Sequence, residues 1–321
     1  MRYLTGVDIG GTNIKIGLLS ETHALLASAS IPFPHTNAED MVRRIRQALL
    51  ALLEQNGAAL CDVEALGAVV PGSIDARGET VLNAHNLNFH DVPLRSLFQA
   101  QFPELPVYLA NDADGAALAE LYLGAFRGCR TAVLFTLGTG FGGGVILGGR
   151  LFTGGLRQGV ELGHMILVDG GEPCTCGNAG CIEAYCSATA LRREGMRAMR
   201  ENPQSLLAQR SGGRAEKIDA RMVVDCARAD DPAAAEAFER YVDHLASACA
   251  SVYNILDPEV LAIGGGLCGA GEFLFAPLRE LVSKRCFYAS HGPLVGAQMG
   301  NDAGMIGAAL LHRDSEAAEK R

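Results

Sequence analysis

Hydrophobic and polar positions first resolve into a pattern at residues 3–19, YLTGVDIGGTNIKIGLL. Alternation and β-branched residues predict a strand, a turn at Gly10-Gly11 and a second strand. The same arrangement recurs at residues 131–147, TAVLFTLGTGFGGGVIL. Two copies about 130 residues apart read as a duplicated unit, each half opening a domain. Between them, apolar residues at 41, 42, 45, 49, 52 and 53 form a helical stripe. Residues 65–70 predict a short buried strand ending in Pro71-Gly72, and residues 106–110 another, ending at Asn111-Asp112. Residues 113–126 then read as helix. Strands followed by helices predict a largely parallel sheet with ligands at its carboxyl ends.

Farther on, residues 188–199 predict an arginine-rich helix, and the polar stretch 204–216 a loop or short helix that is the most mobile region. The strongest helical stripe runs over 233–256, through Phe238, Tyr241, Val242, Leu245, Ala246, Cys249, Val252, Tyr253 and Leu256, and Pro258 stops it. A buried strand over 260–263 leads into Gly264-Gly265-Gly266. Residues 305–312 predict a final helix, and 315–321 a disordered tail.

Composition narrows the classes. A chain of 321 residues suffices for two domains with substantial cores. About half of it is apolar, yet no apolar run approaches the ~20 residues of a membrane span. The start, MRYLTGVDIGG, lacks the apolar core and cleavage site of a signal peptide. Seven of the ten cysteines (61, 129, 186, 226, 249, 268, 286) are scattered singly, as suits a reducing cytoplasm. The net charge of −9 and the lack of a basic stripe speak against nucleic acid as a partner.

The other three cysteines bear on chemistry. Cys174, Cys176 and Cys181 fall within eight residues, with His164 ten residues upstream. Glycines and Pro173 keep the segment out of helix or strand. Three thiolates and an imidazole form a closed tetrahedral set suited to structural Zn²⁺, with buried or disulfide-bonded cysteines the other reading. At Asp8-Ile9-Gly10-Gly11-Thr12-Asn13 the glycines let backbone N–H groups approach phosphate oxygens. There Asp8 can hold Mg²⁺ directly or through water, Thr12 can bond a phosphate and Lys15 adds charge, although a plain hairpin also accounts for the turn. Gly138-Thr139-Gly140 repeats it. Neither turn is a Walker A loop, since no Gly-Lys-Ser/Thr follows. Asp112 is the candidate general base, or alternatively a cap for the helix that follows it.

Glu-x-Gly-His at 161–164 followed by C-x-C-G-x-x-G-C-x-E at 174–183, together with D-I-G-G-T-x-x-K at 8–15, resembles the signature of the ROK family of sugar kinases and sugar-responsive repressors. The resemblance covers nearly the whole chain. It implies an α/β actin-like, ribonuclease-H-like ATPase fold: two α/β domains with an interdomain cleft. Residues 1–112 would form the first domain, with a C-terminal helix near 301–314 packing back on it, and 113–300 the larger second. It further implies ATP and Mg²⁺ at Asp8, Gly10, Gly11, Thr12, Asn13, Lys15, Gly138, Thr139 and Gly140, with adenosine at Gly264, Gly265 and Gly266. Structural zinc falls to His164, Cys174, Cys176 and Cys181. Hexose binding falls to Gly72, Asn86, Asn111, Asp112, Glu161, His164 and Glu183, with Asp112 taking the hydroxyl proton for in-line attack on the γ-phosphate.

The implied protein is a cytoplasmic ATP-dependent hexose kinase acting on O6 of glucose, a homodimer or homotetramer without nucleic-acid or membrane partners. Allose, fructose, mannose and N-acetylmannosamine are alternative substrates, because nothing in the sequence counts hydroxyl positions. The family's repressors carry a helix-turn-helix ahead of the DIGGT strand, where this chain has only a few residues. A zinc enzyme needs an open coordination position, which a Cys₃His set does not leave. The chain departs from the family pattern at Asp114 (usually Asn), His85 (often Pro) and Val160 (commonly Gly), and the last two bear on which hexose fits.

Overall fold

The computed structural model describes residues 2–34 and 36–319. Its elements run β1 (Tyr3–Ile9), β2 (Asn13–Ser20), β3 (Leu25–Pro32), α1 (Ala38–Gln55), β4 (Val63–Val70), β5 (Ser73–Ile74), β6 (Val81–Ala84), β7 (Phe89–Val92), α2 (Leu94–Gln101), β8 (Val107–Asn111) and α3 (Asp112–Leu123). There follow β9 (Thr131–Leu137), β10 (Phe141–Leu147), β11 (Arg150–Leu151), α4 (Glu183–Cys186), α5 (Ala188–Glu201), α6 (Leu206–Ser211), α7 (Ala220–Ala227), α8 (Pro232–Leu256), β12 (Val260–Gly264), α9 (Glu272–Arg285), β13 (Leu294–Gly296) and α10 (Ala303–Glu319). The chain divides into two units, one of residues 1–130, 144–160 and 298–321, the other of 131–143 and 161–297.

In the first unit the main sheet has the order β3-β2-β1-β4-β8. The β1–β2–β3 meander is antiparallel, and β4 and β8 add in parallel. The two-residue period of β4 sorts its side chains between the faces. Leu66, Ala68 and Val70 join the core made with α1 and α2, while Val69 packs on the opposite face with Leu118, Ala308 and Leu311. The stripe read along α1 is the buried one, and Asn37 caps the helix by accepting the N–H of Asp40 at 2.9 Å.

On that opposite face α10 lies against bare backbone. A Cβ added at Gly67 would sit 1.8 Å from the Ala308 carbonyl oxygen, and one at Gly307 1.6 Å from that of Gly115. Only glycine permits this approach. Glu120, fully buried, closes the far end of α3. Its carboxylate accepts the N–H groups of Ala125 at 2.7 Å, Gln298 at 2.7 Å and Met299 at 2.8 Å. This is why α3 ends at Leu123, short of the expected residue 126.

Two further regions of this unit differ from the sequence reading. Residues 315–319, expected to be disordered, continue α10; residues 320 and 321 lie outside the described ones. Arg313 holds this end, reaching both Glu64 oxygens at 3.0 Å and Glu316 at 3.1 Å. The antiparallel sheet β5-β6-β7 was not legible from the pattern, and the turn between β6 and β7 carries Asn86.

The second sheet runs β11-β10-β9-β12-β13, with β12 parallel to both β9 and β13. In the second unit, α8 buries the stripe read from the sequence as far as Tyr253, with Leu256 half-buried. Residues 204–216, read as a loop or short helix, hold the short α6, capped by Ser205. Among the described residues no helix is long and apolar enough to cross a membrane.

Candidate functional site

The first glycine turn follows from the register of β1 and β2, which pairs Asp8 with Lys15 and Ile9 with Ile14. The N–H of Gly10 donates to the Asn13 carbonyl at 3.0 Å, and the N–H of Phe33 to that of Thr12 at 2.8 Å. A side chain at Gly11 would press on the backbone of Asn86, 3.2 Å away. Burial raises the pKa of Asp8, partly offset by Lys15 and reinforced by Asp302. The Lys15 ammonium donates to the Asn301 carbonyl and pairs with Asp302 at 3.2 Å. Asp8 is therefore an under-compensated carboxylate beside a glycine turn, which suits a hard divalent cation.

At the end of β8, Asn111 rather than Asp112 is the N-cap of α3. Its Oδ1 accepts the N–H of Ala113 at 2.8 Å, and its Nδ2 donates to the Gly72 carbonyl at 3.0 Å. Asp112 opens the helix, exposed, its Oδ1 also accepting the Ala113 N–H at 2.9 Å. Gly72 is confined: a Cβ there would lie 2.2 Å from the Asn83 carbonyl. Asn86 is exposed in the β6–β7 turn, beside His85, whose Nε2 lies 3.1 Å from Asn83 Nδ2. These residues share the first unit. Of the departures from the family pattern, Asp114 is buried, whereas His85 is exposed.

The second unit carries the cysteine loop. Ligand atoms of His164, Cys174, Cys176 and Cys181 all lie within 4.8 Å of one another. Cys176 and Cys181 Sγ are 3.7 Å apart, and His164 Nδ1 is 3.6 Å from Cys174 Sγ. A tetrahedral site with Zn–S of ~2.3 Å has S···S edges of ~3.8 Å, and these two separations are close to that edge. Among the described residues no cysteine is in a disulfide. Burial, with the thiols beside it, pushes Cys181 up to about 12, so a cation is needed to hold it as thiolate near neutrality. A backbone hydrogen bond at Asn178 lowers Cys176. Gly177 and Gly180 make the loop's sharp turns at φ of 93° and 86°.

Around this loop, Glu161 is exposed and precedes the short turn of Leu162–His164. Glu183 opens α4 and is already engaged. Its Oε1 accepts the Thr175 hydroxyl at 2.9 Å, and its Oε2 the N–H of Phe141 at 3.0 Å.

The second glycine turn closes with the Gly138 N–H donating to the Gly140 carbonyl at 3.1 Å. Gly265, at φ 93°, passes so close to Leu137 that a Cβ would lie 2.3 Å from its carbonyl oxygen. A cavity of ≈ 750 Å³ opens here, lined among others by Gly138, Thr139, Gly266, Thr189, Arg192 and Arg228. That volume is within the range of small-molecule sites. The glycines were legible in the sequence. The wall contributed by α5 and α7 was not, because an arginine on a polar helix face carries no mark of the cavity it lines.

The ROK family model matches residues 4–315. A glucokinase of Thermotoga maritima is 39% identical over 315 residues, 97% of each chain. A ROK family glucokinase from Streptomyces griseus, solved in complex with glucose and AMPPNP, superposes with a TM-score of 0.81 at 33% identity, covering 96% of this chain and 98% of that one. The ROK hexokinase from Thermus thermophilus gives 0.82 at 31% identity, covering 98% and 99%.

Proposed function

The chain belongs to the ROK family, and from that premise we propose that it transfers the γ-phosphate of ATP to O6 of a hexose, glucose first. It is an ATP-dependent sugar kinase with the actin-like, ribonuclease-H-like fold. The observation that carries the reading is a glycine turn in each unit, together with a carboxylate that opens the helix after β8, in a chain so similar to glucokinases. We assign Gly72, Asn86, Asn111 and Asp112 of the first unit, and Glu161, His164 and Glu183 of the second, to the hexose. The donor falls to the turns at Gly10, Gly11, Thr12 and Asn13 and at Gly138, Thr139 and Gly140, with Lys15 adding charge and Gly264, Gly265 and Gly266 beside the adenosine.

In the proposed step Asp112 accepts the proton of the sugar hydroxyl as its oxygen attacks the γ-phosphorus. The bond between γ-phosphorus and bridging oxygen breaks, and ADP leaves with that electron pair. Asp8 would hold Mg²⁺, which supplies charge compensation for the donor phosphates when bound. Little covalent work is asked of the protein, so orientation dominates. Asn111, fixed between Ala113 and Gly72, provides it on the acceptor side.

The metal reading of the Cys₃His set is a structural Zn²⁺. Cytoplasmic location fits ten cysteines without a disulfide among the described residues. A homodimer or homotetramer belongs to the same proposal and is read by light scattering.

Product analysis tests the regiochemistry. With ¹³C-labelled glucose and Mg-ATP, NMR is expected to show phosphorus coupling at C6. Coupling at C1 instead would contradict the assignment of O6.

A further inference from the structure

Three backbone groups at the second glycine turn are held by one short stretch of chain. The N–H of Ala188 donates to the Gly138 carbonyl at 2.9 Å. The Thr189 hydroxyl donates to the Thr139 carbonyl at 2.7 Å. Glu183 Oε2 accepts the Phe141 N–H at 3.0 Å. Glycine-rich backbone has little torsional preference of its own, so its partners decide its geometry. Peptide groups are planar and trans, with C=O and N–H on opposite sides. Anchoring the Gly138 and Thr139 carbonyls therefore aims the N–H groups of Thr139 and Gly140 the other way. Those are the donors such a turn offers to phosphate oxygens.

The same stretch reaches the metal loop. The other oxygen of Glu183 accepts the hydroxyl of Thr175, which stands between two of the cysteines. Thr189 also lines the ≈ 750 Å³ cavity together with Gly138, Thr139 and Gly266.

We propose that residues 183–189 form a latch that sets the donor-side turn. Thr189 is a positioning residue for the nucleotide phosphates, and the Cys₃His loop acts on nucleotide affinity through Thr175 and Glu183. The inference rests on the kinase reading and deepens it. It gives the metal loop an effect on the donor, separate from its effect on residues assigned to the sugar.

The test compares Thr189→Val with Thr189→Ser. Valine keeps the shape and removes the donor; serine restores it. Thr189 is exposed, so neither change touches the core. The valine variant is expected to raise KM for ATP, and the calorimetric Kd of a non-hydrolysable ATP analogue, about 3- to 10-fold, the range of one net hydrogen bond. The serine variant should return to wild-type values, with kcat and the hexose KM unchanged in both. Chelating zinc from the wild-type protein, and separately Thr175→Val, should weaken analogue binding in the same direction. An analogue Kd unchanged in Thr189→Val, while wild type binds it, overturns the latch alone. Wild-type protein that binds no ATP analogue overturns the kinase reading and the latch with it.

Discussion

Replacing Asp112 with asparagine is expected to lower turnover about 10²–10⁴-fold, the usual contribution of a positioned general base. Asparagine has the same shape and keeps an oxygen to accept the Ala113 N–H, which Asp112 accepts at 2.9 Å. Asn111 remains the N-cap, so the start of α3 stays in place. What is lost is a group able to take the hydroxyl proton. Steady-state kinetics with calorimetry of hexose binding separates these effects: kcat falls while the hexose Kd stays close to wild type. Near wild-type turnover would remove Asp112 from the role. A loss of hexose binding equal to the loss of turnover would make it a binding residue instead.

The second large effect is expected at the metal loop. Cys181→Ser should abolish stoichiometric zinc, read by elemental analysis. It should also lower the melting temperature by about 5–10 °C, as losing a few kcal/mol does in a domain of this size. Cys181 is buried, and its Sγ is 3.7 Å from that of Cys176. A serine hydroxyl there is a poor replacement for a thiolate in a soft ligand set. The loop's other ties are backbone hydrogen bonds, such as the Cys174 N–H to the Asn178 carbonyl at 2.8 Å and the Gly180 N–H to the Glu172 carbonyl at 2.8 Å, and the Thr175–Glu183 bond, on turns made by glycine, and none of these fixes the cysteine sulfurs. His164 and Glu183 depend on that loop for their positions, so hexose affinity should fall along with metal content. A Cys181→Ser protein that melts and binds hexose as wild type does would show that the loop folds without its metal.

The sequence was most informative where a residue type has one physical use. Gly10-Gly11 and Gly138-Thr139-Gly140 marked both turns, because alternating strands on either side left no other role for the glycines. The stripe of α8 was plain because thirteen of its residues are buried, at helical spacing. The cysteine spacing, with His164 ten residues upstream, assembled the set that the structure brings within 4.8 Å. Other features were silent for identifiable reasons. Helix α9 contains Pro277, which breaks the usual reading of a helix interior. The end of α10 is polar and reads as a tail. It is ordered by the ion pairs of Arg313 with Glu64, 249 residues away, and that separation leaves no local signal. The split roles of Asn111 and Asp112, one capping α3 and the other opening it, follow from tertiary geometry that adjacent residues in a sequence do not disclose. The latch at Thr189 is of the same kind, since its partner lies 50 residues upstream.

Sugar-kinase activity is tested most directly by ADP release from Mg-ATP, monitored in a coupled assay with glucose, allose, mannose, fructose, N-acetylglucosamine and N-acetylmannosamine in turn. The expected result is turnover of about 1–100 per second on a hexose, the range of kinases, with glucose giving the highest kcat/KM. Folded, zinc-loaded protein that releases no ADP above background with any of these sugars would contradict it.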